Sequence, residues 1–228
     1  METSLLAFRM AMYREHLEDA AFLYDQCNAL RADGQTSWLR LQDFEERLEA
    51  NIDALVIGGA TALDVCRRRA ADGEPGELYA AVCVYCRHAD SSLLAELWRS
   101  LDFADRAKVR AATEALKLEL RPEWAEACLG AIARGQTPLV RMLSAVCGSR
   151  RIPAAAALAV RLATQPELIE PQTVWALSRT GPAQEAVALL ESCCRHADPG
   201  VRAVASRSLL HLGERRQLRG YHLAAQTE

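Results

Sequence analysis

Beyond residue 75, prolines fall at a nearly fixed interval. Pro122, Pro153 and Pro182 are separated by 31 and 29 residues, and Pro138, Pro171 and Pro199 by 33 and 28. Proline suits the first turn of a helix, where its missing N–H has no intrahelical acceptor to lose, and it breaks a helix interior. Two interleaved series of helix starts therefore predict pairs of short helices. The dipeptides Val109-Arg110, Val140-Arg141 and Val201-Arg202 keep the same step, 31 and 61 residues apart, with Val174-Trp175 near the remaining place. A helix pair repeated at this length cannot bury its apolar face alone and must stack on its neighbours, as in an α-solenoid.

Composition agrees with that reading. The chain holds 41 Ala and 32 Leu against 12 Val and 5 Ile, so good helix formers far outnumber strand formers and an all-α fold is expected. Aromatics are only 6% of the residues, which favours thin layers of closely approaching helices over one thick core. The expected pairs are 77–89 with 92–101, 105–119 with 122–134, 138–148 with 153–164, 171–180 with 182–196, and 199–212 with a capping tail helix near 215–225.

The N-terminal part lies outside the repeat. Apolar residues from Leu5 through Phe8, Met12, Leu17, Leu23 and Cys27 to Leu30 recur at the amphipathic helical period, and Asp33-Gly34 stops that helix. A second helix starts at Ser37, a good N-cap, and ends at Gly58-Gly59, so the two are expected to form an antiparallel hairpin. A third runs from about Thr61 to Ala71. The turn Gly73-Glu74-Pro75-Gly76 marks the expected boundary between residues 1–74, an acidic helical region, and residues 75–228, a repeat region with a C-terminal capping helix.

Charge and cysteines narrow the function. The net charge is −3, and phosphate neutralisation needs clustered positive charge, so no nucleic-acid partner is expected. Residues 1–60 carry 11 acids and 5 arginines while the remainder carries 19 acids and 22 bases; the acidic part is either a solvated face or a docking surface for a basic partner. Eight cysteines sit among Ala, Val and Leu without an apolar leader run, so they are expected to pack as small hydrophobes in a cytoplasmic protein. Cys83 and Cys86, a Cys-x-x-Cys followed by His88, share one helical face. The rest of a zinc site is missing, and packing is the reading preferred there. The run Cys86-Arg87-His88-Ala89-Asp90 recurs as Cys194-Arg195-His196-Ala197-Asp198, and the same helix-end chemistry explains both: Arg and His at terminal carbonyls, Asp as the next cap. His16, beside Glu15, Glu18 and Asp19, is expected to pair with those acids. No catalytic residue, metal ligand, cofactor or membrane span is assigned.

The segment Asp198-Pro199-Gly200-Val201-Arg202-Ala203-Val204-Ala205, followed by Leu209, Leu212 and Gly213, closely resembles the HEAT-like repeat of the phycobilisome-lyase type, whose pattern is Asp-Pro-x-Val-Arg-x-x-Ala followed by Leu and Gly. The likeness extends over about residues 77–213 in more degenerate units. Together with Tyr13-Arg14-Glu15-His16-Leu17-Glu18-Asp19-Ala20-Ala21-Phe22-Leu23 and the turn at 73–77, the chain resembles an uncharacterised bacterial HEAT-repeat family associated with type VI secretion. The resemblance implies a non-enzymatic protein-interaction scaffold, an effector adaptor, chaperone or immunity protein, whose partner is a secreted effector or a component of the secretion apparatus. An alternative is a HEAT-fold enzyme, similar to a bilin lyase or an alkylpurine glycosylase. Trp98, Trp124 and Arg161, placed on the second helices of their pairs, are the candidate partner-binding residues.

Overall fold

Helix boundaries follow the capping chemistry. The computed structural model describes residues 2–88, 92–181 and 184–214. Its regular elements are all helical: α1 Glu2–Ala32, α2 Trp38–Ile57, α3 Gly59–Asp72, α4 Pro75–Arg87, α5 Ser92–Ser100, α6 Arg106–Glu119, α7 Ala125–Arg134, α8 Thr137–Arg150, α9 Ala155–Thr164, α10 Pro171–Arg179, α11 Gln184–Cys193 and α12 Pro199–His211. Ser37 accepts the Arg40 N–H to start α2, Asp105 accepts two N–H groups at the start of α6, and Asp198 accepts the Gly200 N–H to start α12. Pro75, Pro138, Pro171 and Pro199 stand in the first turns of α4, α8, α10 and α12. Pro122 opens a 3-10 turn that runs into α7, so the helix expected over 122–134 is a composite. Pro182 and the tail helix expected near 215–225 lie outside the described residues. Among the described residues no helix is long and apolar enough to cross a membrane.

Packing groups the chain into two units, Met1–Arg121 and Pro122–Glu228. The boundary expected at the Gly73-Glu74-Pro75-Gly76 turn falls inside the first of these units. The packing groups α4, α5 and α6 with the first three helices, because α4 lies against α1, α2, α3 and α6.

In the first unit α1 and α2 form the expected hairpin. His16 meets Asn51 at 2.8 Å and Arg31 meets Glu45 at 2.7 Å, so late residues of one helix face early residues of the other. His16 thus bonds across the hairpin to an amide, not to the acids of its own helix, since its ring turns towards α2. α4 is the central helix: every residue from Gly76 to Cys86 is buried, as befits a helix packed on all sides. Tyr79 of α4 stacks on Tyr24 of α1 with ring centroids 4.4 Å apart. The Tyr24 hydroxyl donates to Glu114 of α6 at 2.7 Å, and Arg110 donates to the same carboxylate at 2.8 Å.

Burial alone would raise the Glu114 carboxyl, but the hydrogen bonds from Arg110 and Tyr24 outweigh it and hold the group below its usual range. A lowered folded pKa contributes stability that is present above the unfolded carboxylate value, about 4.3, and is lost as pH falls through the folded one. Thermal melts across that acid range are expected to show a shallower loss of stability for Glu114→Gln than for the wild type. Superimposable acid limbs would contradict the assignment.

In the second unit, α8 packs on α7 and α10, and α10 packs on α12; α9 packs on α7, α10 and α11, and α11 on α12. Helices α8, α10 and α12 thus form one run of neighbours and α7, α9 and α11 another. The Val-Arg arginines tie this series together: Arg141 reaches the carboxylate of Glu170 at 3.2 Å and the Glu167 carbonyl at 2.9 Å, and Arg202 donates to the carbonyls of His196 and Ala197 just past α11. Arg110, in the first unit, bonds within its own helix instead.

Candidate functional site

Small side chains create the first opening in the second unit. α9 begins Ala155-Ala156-Ala157, and where Ala156 and Ala157 face Ala133 near the end of α7 too little volume is present to fill the space between the helices. A groove of about 360 Å3 remains, completed by Val160, Arg161 and Thr164. Val160 is 61% exposed. Arg161 closes one edge by turning onto the C-terminal end of α7, where Nη2 donates to the Gly135 carbonyl at 2.5 Å and Nη1 to that of Ala133 at 3.4 Å. A guanidinium there satisfies carbonyls that the helix itself leaves open and opposes the negative end of its dipole. The lining has an apolar floor and one fixed cation, and no carboxylate, thiol or imidazole.

A second cleft, of about 300 Å3, opens between α10 and α12. Trp175, Ser178 and Arg179 contribute one wall, and Val204, Arg207 and His211 line the other. The Arg179 guanidinium carbon stands 6.0 Å from the Trp175 ring centroid, and its Nη1 lies 3.5 Å from the His211 Nε2. Gly148 of α8 makes room for the indole: a Cβ there would fall 2.5 Å from Trp175 Cζ3.

Compared with protein-family models, curated proteins and solved structures, the chain matches none.

The three residues expected to bind a partner have different surroundings within their own units. Trp98 is half-buried on α5 in the first unit, next to Leu97, which is buried. Trp124 closes the 3-10 turn before α7 and is only 4% exposed, so its ring belongs to the core of the second unit. Arg161 borders the α7–α9 groove. Trp175, Arg179, Arg207 and His211 were missed by sequence reasoning. Their signal was a pair of i, i+4 spacings, Trp175 with Arg179 and Arg207 with His211, on two helices that the proline series makes neighbours.

The cysteines have the surroundings of core residues. All eight are buried thiols. Burial pushes the thiols of Cys66 and Cys147 up to about 12 and that of Cys128 up to about 11, and it raises Cys83 well above the ordinary value. A thiol held protonated is a poor nucleophile and a poor metal ligand. Cys83 and Cys86 both lie in the stretch of α4 that is buried on all sides. In the second copy of the run, Asp198 caps α12 as expected, but the His196 ring accepts the Asp198 N–H at 3.1 Å instead of meeting a terminal carbonyl. In the first copy Arg87, instead of capping carbonyls, gathers the carboxylates of Glu49, Asp53 and Glu119, and Asp90 lies outside the described residues.

Proposed function

We propose that this chain is a non-catalytic protein-binding scaffold whose C-terminal helix pairs are HEAT-like solenoid repeats. The observation that carries the reading is the α7–α9 groove, an open apolar surface edged by Arg161 and formed between two helices that occupy the same place in successive pairs. The successive packing of α8, α10 and α12, and of α7, α9 and α11, supports the solenoid part, because stacked pairs bury one another's apolar faces and present adjacent grooves along one side. Exposed apolar side chains elsewhere, Phe8 at 66%, Trp38 at 71% and Ile57 at 85%, add surface of the kind that partners cover.

The resemblance of residues 198–213 to the phycobilisome-lyase type of repeat, and of the chain to a bacterial family associated with type VI secretion, supplies the biological context. On that reading the protein acts in the cytoplasm as an effector adaptor, chaperone or immunity protein, bound to a secreted effector or to a component of the secretion apparatus. Affinity capture of the full chain from its native cell, followed by mass spectrometry, tests this. The wild type is expected to retain such a protein and Val160→Glu to lose it, since a carboxylate would be placed in the apolar groove. Recovery of neither class of protein, or equal recovery by the variant, would sink the proposal.

A further inference from the structure

The arginines of the second unit that meet neighbouring segments have strong acceptors, with one exception. Arg141 holds a carboxylate and a carbonyl, Arg161 holds two carbonyls, and Arg202 holds two carbonyls. Arg179 has none of these among the described residues. Its Nε, like that of Arg161, is shielded from solvent without a hydrogen-bond partner among the described residues, but Arg161 has its two carbonyls. Its Nη1 has only the His211 ring nitrogen at the 3.5 Å limit, and its charge only the face of Trp175 at 6.0 Å, the outer edge of a cation–π contact. A desolvated donor left without an acceptor is costly. The cost is removed when a ligand provides the acceptor.

The rest of the cleft suits such a ligand. Arg207 enters from α12, spending one N–H on a long 3.4 Å bond to the Ala203 carbonyl of its own helix. None of the residues lining the cleft is acidic, so two guanidinium groups face the same space with no counter-charge in its walls. Val204 and the Trp175 ring supply an apolar side. The volume, about 300 Å3, lies at the small end of ligand sites.

We propose that the α10–α12 cleft binds a phosphate monoester with an apolar body, its oxygens held by Arg179, Arg207 and His211 and its body against Trp175 and Val204. Two positive charges match a phosphate of about −1.5 to −2 better than a single carboxylate, and the planar guanidinium fork fits phosphate oxygens in pairs. This site is separate from the α7–α9 groove, and its test is independent of partner capture.

Phenyl phosphate is the probe, titrated into the full chain and followed by calorimetry and tryptophan fluorescence. Saturable binding is expected, with a fluorescence change that persists in Trp38→Phe and disappears in Trp175→Phe. Loss of one charged hydrogen-bonding partner is expected to weaken binding by about tenfold or more in Arg179→Gln and in Arg207→Gln. Arg207 is exposed, so its variant decides the matter if Arg179→Gln does not fold. Absence of saturable binding, affinity unchanged in the arginine variants, or benzoate binding as tightly as phenyl phosphate would overturn the assignment.

Discussion

Replacing Arg87 with methionine is expected to destabilise the first unit by about 2 to 3 kcal/mol, read from urea unfolding of the full chain. Arg87 ends the central helix α4 and is only 19% exposed. Its Nη2 lies 2.7 Å from Glu119 of α6 and 2.7 Å from Glu49 of α2, its Nη1 lies 2.8 Å from Asp53, and its Nε donates to Glu119 at 3.2 Å. Partial burial works against the charge, but the hydrogen bonds that the guanidinium donates to Glu119 and Glu49 prevail and raise it above its ordinary value. Methionine keeps much of the stem packing and removes the cation, so three carboxylates on two helices are left facing one another. Glu49 and Asp53 are more than half exposed and water screens them, which keeps the expected cost below that of a fully buried pair. Lysine is expected to restore only part, because a single ammonium cannot hold Glu119 in a two-point fork and reach Asp53 as well. The double variant with Glu119→Gln is expected to lose less than the sum of the two single changes. A loss below about 0.5 kcal/mol for Arg87→Met would show the cluster to be an ordinary surface network.

Gly76→Ala is expected to destabilise by about 3 kcal/mol, although alanine in a helix normally gains about 1 kcal/mol over glycine. The sign reverses because of what lies opposite. A Cβ at Gly76 would fall 2.7 Å from both the Cα and the carbonyl oxygen of Ala21. These are backbone atoms of α1, so no side-chain rotation relieves the overlap and the helices must separate. Separation would also loosen the Tyr24–Tyr79 stack that joins the same two helices. Gly34→Ala is the matched control, since nothing lies within 4 Å of the added carbon, and it is expected to be near neutral. Equal stability of the two variants would mean that α1 and α4 do not approach as closely as described.

The helices were legible in the sequence because their stop and start signals are local. Ser37, Asp105, Asp198 and the first-turn prolines act on the next three or four backbone groups, and no tertiary information is needed to place them. The starts of α8, α10 and α12 were legible in the same way, from Pro138, Pro171 and Pro199 in their first turns, and α8 packs on α10 and α10 on α12. The position of Gly76 against Ala21 was not legible. A glycine in a turn signal reads as chain flexibility, and only the packing of α4 on α1 shows that its missing side chain is the point. Trp124 illustrates the same limit: a tryptophan near a helix start looks identical in sequence whether its ring turns inward or out. The α10–α12 cleft required knowing that Trp175 and Arg179 face Arg207 and His211, a relation between helices that no spacing within one helix reports.

Each of the two units holds four of the eight buried cysteines: Cys27, Cys66, Cys83 and Cys86 in the first, Cys128, Cys147, Cys193 and Cys194 in the second. A thiol that is sealed in the native state and reactive once released reports on opening events rather than on the average structure. The molecule therefore carries two internal sets of chemical clocks, one for each unit. Brief pulses of a thiol-specific alkylating reagent, read peptide by peptide, would time the transient opening of each half of the chain without any introduced label.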